Sequence, residues 1–171
     1  MHISFSENLN LPICTTKECA SNFNLLLITE KTYDSFMKFL NTHSQEGSKL
    51  LLLWTELNVF KHSCRKPNKE VSLLATDIYD KYLKENSENF VDVPHIIIEK
   101  IEYSYRTYNK NLYHPCFDEL LEYVFVTLKE IFFPNFKISD DYKILEKDLE
   151  TDEIIYSRLL ASSMISSLEI E

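Results

Sequence analysis

A chain of 171 residues with 44% hydrophobic content can bury a real core, in one domain with a tail or an appended helix. Gly47 is the only glycine, so neither a phosphate-cradling loop nor a dinucleotide fingerprint can be built, which removes the common nucleotide-using enzymes. The net charge of −9 leaves no basic surface to release counterions from a phosphate backbone, so no nucleic-acid partner is expected.

Helical spacing recurs along the chain and no segment sustains strand alternation, which predicts an all-α fold. Tyr33, Phe36, Met37 and Leu40 fall at i, i+3, i+4 and i+7 and predict a helix over about residues 30–42. The polar stretch H-S-Q-E-G-S then predicts a turn. Leu50, Leu53, Trp54, Leu57 and Phe60 or Lys61 repeat the spacing in a core helix, with Leu51 and Leu52 on its flank. H-S-C-R-K-P-N-K reads as a loop, because Pro67 disfavours helix before it and Asn68 can cap the helix after it. Val71, Leu74, Ala75, Ile78 and Tyr82 line the inner face of that next helix.

Pro94 suits the first turn of a further helix, whose face carries Ile97, Ile101, Ser104 or Tyr105, and Tyr108 until N-K-N-L-Y-H-P breaks it. Phe117, Leu120, Leu121, Val124, Leu128, Ile131 and Phe132 make the longest stripe in the chain. Tyr123, Phe125 and Val126 cover the opposite side, and a helix apolar all round is expected to be buried or to pair on two faces. Pro134 is expected to stop it near Phe132. Beyond it, S-D-D at 139–141 can cap another helix, E-K-D-L-E-T-D-E is an acidic surface run, and the last residues are weakly amphipathic.

The N-terminus lacks the basic and apolar regions of a signal peptide, and no run approaches the roughly 20 apolar residues of a membrane span. A cytoplasmic protein with no transmembrane segment is expected. Cys14, Cys19, Cys64 and Cys116 are scattered and read as reduced thiols without a disulfide framework. His62-x-Cys64 and His114-x-Cys116 lack the spacing of structural zinc sites, so neither a metal nor a cofactor is expected. No nucleophile elbow, H-E-x-x-H or Ser-His-Asp order points to an enzyme.

Six landmarks stand in order over about residues 21–145: N-F-N-L-L-L, F-M-K-F-L, L-L-L-W-T-E-L-N-V-F-K, A-T-D-I-Y-D-K-Y-L, N-F-V-D-V-P and P-C-F-D-E-L-L-E-Y-V-F. In this order the chain resembles the regulator of G-protein signalling (RGS) domain family. The resemblance implies a bundle of about nine helices in two sub-bundles, with the helix that starts at C-F-D shared by both. It implies an N-terminal extension or first helix over 1–20, the RGS-like domain over 21–145, and a C-terminal helix and tail over 146–171. Phe36, Trp54 and Phe117 would be core anchors, and Asp118 would complement the dipole at the start of the shared helix.

The resemblance also implies function. RGS domains carry no catalytic group; they bind a GTP-loaded G-protein α subunit (Gα) and hold its switch loops so that Gα's own glutamine and arginine act. The family contact surface maps onto Lys49 and Leu50, with Glu46 as a substitute, onto Asp92, and onto Ile131 and Asn135. Each departs from the family pattern: a Glu-Asn pair is Lys49 and Leu50, a loop asparagine is Asp92, and a late aspartate and arginine are Ile131 and Asn135. The expected function is Gα binding with acceleration of GTP hydrolysis impaired. The alternatives are a degenerate RGS fold serving as a scaffold without Gα contact, or an unrelated helical adaptor.

Overall fold

The computed structural model describes residues 17–64, 69–107 and 114–168, and among them it has nine α-helical segments and no strand. The all-α class read from the spacing is the class found. The helices are α1 (Lys17–Ser21), α2 (Phe23–Ile28), α3 (Glu30–His43), α4 (Gln45–Ser63), α5 (Lys69–Ile78), α6 (His95–Thr107), α7 (Asp118–Thr127), α8 (Phe133–Lys137) and α9 (Asp140–Leu168). A π turn over Tyr79–Leu83 continues α5, a 3₁₀ turn over His114–Phe117 leads into α7, and a second π turn over Leu128–Phe132 joins α7 to α8. The chain divides into two compact units, Met1–Phe39 with Phe133–Glu171, and Leu40–Phe132.

The first unit is organised by aromatic rings. Asn22 caps α2, its side chain accepting from the Asn24 amide at 3.0 Å, so the chain enters the helix with Phe23, Leu26 and Leu27 buried. Thr32 on α3 is wholly buried, and its hydroxyl donates to the Leu26 carbonyl at 2.8 Å, which removes the cost of the buried polar group. Phe136 of α8 lies 5.2 Å from the Phe36 ring and 5.3 Å from each of the Phe39 and Tyr142 rings, the separations at which aromatic pairs are attractive. Ser139 Oγ accepts from the Tyr142 amide at 3.2 Å and starts α9, which buries Tyr142, Leu145 and Leu149 among its described side chains.

Three sequence expectations are corrected in this unit and at its edge. The buried face of α3 holds Thr32, Phe36, Phe39 and Leu40, with Tyr33 and Met37 only half-buried, so the stripe is rotated from the one read off the spacing. Cys19 is buried and disulfide-bonded rather than a reduced thiol; Cys14 lies outside the described residues. Pro134 does not end the helix. A proline there has no N–H for the carbonyl of residue 130 and its ring crowds that carbonyl, but the π turn just ahead widens the backbone and Pro134 takes the second position of α8.

In the second unit α4 and the α7 segment run antiparallel. Near one end Gly47 faces Phe132; near the other the Phe60 ring meets the Phe117 ring edge-on at 5.2 Å and Lys61 Nζ pairs with Asp118 Oδ1 at 3.2 Å. The buried column of α7 is Phe117, Leu120, Val124 and Leu128. Its other side is open: Val126 is exposed and Tyr123 and Phe125 are half-buried, so the expectation of an all-round buried helix is corrected. The buried side of α4 carries Leu50, Leu51, Leu53, Leu57 and Phe60, while Trp54 is half-buried and falls short of a core anchor.

The H-S-Q-E-G-S stretch is not a turn. Only Ser44 is non-helical; its Oγ accepts from the Gly47 amide at 3.0 Å and α4 begins at Gln45. Gly47 therefore sits in the helix, where it is chosen for closeness rather than for a turn. A methyl group on it would lie 2.8 Å from Leu40 Cδ2 and 2.9 Å from Phe132 Cε1. Alanine normally favours helix by about 0.5–1 kcal/mol over glycine; here overpacking of about 1–3 kcal/mol opposes that gain. Gly47→Ala is expected to lower the unfolding free energy by about 1 kcal/mol in a denaturant titration, and Gly47→Val by more.

Candidate functional site

The loop after the first π turn is built from its own hydrogen bonds. Tyr82 is wholly buried, and its hydroxyl donates to Glu56 of α4 at 2.9 Å while its carbonyl accepts from the Val91 amide at 2.9 Å. The Ser87 hydroxyl donates to the Lys81 carbonyl and the Phe90 amide donates to the Ser87 carbonyl at 3.1 Å, so residues 84–90 fold back on the π turn. The chain then extends. Val91 and Val93 are buried, and with the two-residue alternation of extended backbone Asp92 between them is exposed. Pro94 keeps Val93 extended and α6 starts at His95, so neither Asp92 nor Pro94 lies in the first turn.

The start of α4 approaches the same loop. Lys49, in the second turn, donates from Nζ to the Glu88 carbonyl at 2.7 Å, which ties α4 to the loop that carries Asp92. Glu46 is exposed in the first turn, where a carboxylate is favoured by the helix dipole. Leu50 is 1% exposed and packs in the core, so it offers no side chain to a partner; the reading of Leu50 as a surface position is corrected. Ile131 is 55% exposed on the second π turn, next to Phe132, which faces Gly47. Glu46, Lys49, Asp92 and Ile131 thus all belong to the second unit, and Asn135 is exposed on α8 of the first. Of the expected anchors, Phe36 and Phe117 are buried.

A cleft of about 750 Å³ lies beside this surface, lined by the first π turn, the Asp92 loop, α6 and Tyr123 of α7. Spacing did not single it out, because its walls meet only in the fold. Tyr79 on its wall donates to Glu102 Oε1 at 2.8 Å and stacks on Tyr105 at 6.2 Å. Burial, then the hydrogen bond to Glu102 and the charge of that carboxylate, push its phenol from 10.0 up to about 12. An acid whose pKa is raised by folding contributes stability below pH 10.0 and loses it as the pH climbs through about 12. Alkaline titration is expected to show a stability loss across that window that is smaller in Tyr79→Phe, with the tyrosinate absorbance near pH 12 reduced in the variant.

No group of three or more His, Cys, Asp or Glu among the described residues could hold a metal ion, and no described helix is long and apolar enough to cross a membrane. What remains is an all-α helical domain with a polar surface set on a helix start and an extended loop. The family model of the regulator of G protein signaling domain matches residues 22–145, well over half of the chain, and the protein belongs to that family. A search of curated proteins finds no match.

Proposed function

We propose that the domain binds a Gα subunit through the surface that carries Glu46, Lys49, Asp92 and Ile131, and that it does so with little acceleration of GTP hydrolysis. The observation that carries the first part is the family match over residues 22–145. RGS domains act as activators of a GTPase in trans rather than as enzymes, and the cytoplasmic location expected from the sequence goes with that role.

The chemistry of the surface supports the second part. Asp92 accepts hydrogen bonds but in its ionised form donates none, so it cannot replace an asparagine amide against the switch loops. Ile131 is an exposed apolar side chain where the family carries an aspartate. With Leu50 in the core, the remaining polar groups near the α4 start are Glu46 and Lys49, and the Lys49 ammonium is already engaged by the Glu88 carbonyl. The second reading, a scaffold without Gα contact, is favoured by the same exposed Ile131, which suits a less polar partner.

A binding assay tests the proposal: the full chain is immobilised and a panel of Gα subunits is passed over it with GDP and aluminium fluoride, which mimics the transition state. Saturable binding to at least one subunit is expected, weakened about tenfold or more by Asp92→Lys if the loop meets the partner directly. Silence across the panel would replace the Gα reading with the scaffold.

A further inference from the structure

We propose that Cys64 and Cys116 form an oxidisable dithiol that closes into a disulfide across the end of the α4–α7 pair. Both residues carry thiols outside any disulfide, and both are half-exposed and so reachable by a small oxidant. The antiparallel register brings their two segments together. Gly47 against Phe132 and Phe60 against Phe117 place residues of the two segments opposite one another while the numbering rises on one and falls on the other. One helical turn past Phe60 on the same face stands Cys64, the C-cap of α4, its amide bonded to the Phe60 carbonyl at 3.0 Å. Counting on from the Lys61–Asp118 pair, the position opposite Cys64 is Pro115, the neighbour of Cys116 in the 3₁₀ turn His114–Phe117.

Three features hold this corner in place without a covalent bond. The Phe60 and Phe117 rings pack edge to face, Lys61 pairs with Asp118, and Lys100 of α6 pairs with Glu119 at 2.6 Å. Closing the disulfide therefore joins two segments that already touch.

The oxidant is a small-molecule disulfide of the glutathione class. The thiolate of one cysteine attacks a sulfur of the oxidant, forming a mixed disulfide and releasing one small thiolate. The second cysteine, losing its proton, attacks the protein sulfur of that mixed disulfide and releases the other. The protein dithiol loses two electrons and two protons, and one small disulfide becomes two small thiols. The bond formed would lie at the far end of α4 from Glu46 and Lys49, on the order of 20 Å away at 1.5 Å per residue. It would act on stability rather than on the proposed Gα surface.

The test uses the full chain, treated with excess glutathione disulfide, alkylated without reduction, digested and weighed. A cross-linked peptide pair containing Cys64 and Cys116 is expected, reversible by dithiothreitol, with an unfolding midpoint raised by several degrees over the untreated chain. Cys64→Ser and, separately, Cys116→Ser should lose the cross-link and end as single mixed disulfides; using both variants guards against one that folds poorly. Stable mixed disulfides on both cysteines of the wild-type chain would show that the sulfurs cannot meet. Stoichiometric zinc in protein purified without added metal, protecting both thiols, would equally overturn the proposal.

Discussion

Phe136→Ala is expected to lower the unfolding free energy by about 3–5 kcal/mol, a drop of roughly 10 °C in the unfolding midpoint of a chain this size. The ring is fully buried and touches the rings of Phe36, Phe39 and Tyr142. Truncation removes its own transfer free energy and strips one neighbour from each of those rings. The void cannot close easily, because α8 is held between the π turn before it and the Ser139 cap of α9 behind it. Trp54→Ala makes the contrast. Trp54 is the larger residue and the sequence marks it as a core anchor, yet it is half-buried, so its removal should cost about 1–2 kcal/mol. Chemical denaturation of the two variants side by side would decide between size and burial. A larger loss in Trp54→Ala would mean that the aromatic cluster around Phe136 is looser than its ring contacts indicate.

How far the sequence could be read depends on what each signal rests on. The column Phe117, Leu120, Val124 and Leu128 is legible because it depends only on the helical period, which those positions obey. Extended to Ile131 and Phe132, the same period fails. The π turn over Leu128–Phe132 inserts extra backbone, and Ile131 turns outward. No residue in L-K-E-I-F announces such a turn; the proline that accompanies it reads as a helix stop.

In α4 the opposite problem arises, since four successive leucines make every side apolar and the choice between Leu51 and Trp54 needs a neighbour to settle it. The start of α4 is hidden in the sequence because Ser44 caps through Gly47, and a glycine three residues after a serine reads as a turn rather than as a helix with a close neighbour. Asp92 was legible as a loop position from Pro94, but its exposure depends on Val91 and Val93 being buried beside it. The Tyr82–Glu56 bond and the Lys49 contact that joins α4 to the loop cross 26 and 39 residues of sequence, a distance that periodicity cannot span.

Single-turnover GTP hydrolysis by inhibitory-class or q-class Gα subunits is expected to be unchanged, within about twofold, by a saturating amount of the wild-type domain. Acceleration in trans requires donors and charges fixed against the switch loops before the transition state forms, and each one missing from such a set costs about 3 kcal/mol, or roughly two orders of magnitude in rate. On the proposed contact surface, the acceptor-only Asp92 and the apolar Ile131 would remove two. On the same proposal Leu50 would remove a third in a way that cannot be restored: Leu50→Asn would bury an amide among apolar side chains, an unsatisfied polar group costing roughly 1–3 kcal/mol of stability. Restoration should therefore use the exposed positions alone. The double variant Asp92→Asn, Ile131→Asp is expected to stay folded, since both side chains face solvent, and to recover a measurable part of the acceleration with a Gα that binds. If the unmodified domain accelerated hydrolysis a hundredfold, Glu46, Lys49 and Asp92 would constitute a working contact set of a different composition. If the double variant bound Gα and gave no acceleration, the missing group would be the amide whose position Leu50 has withdrawn into the core.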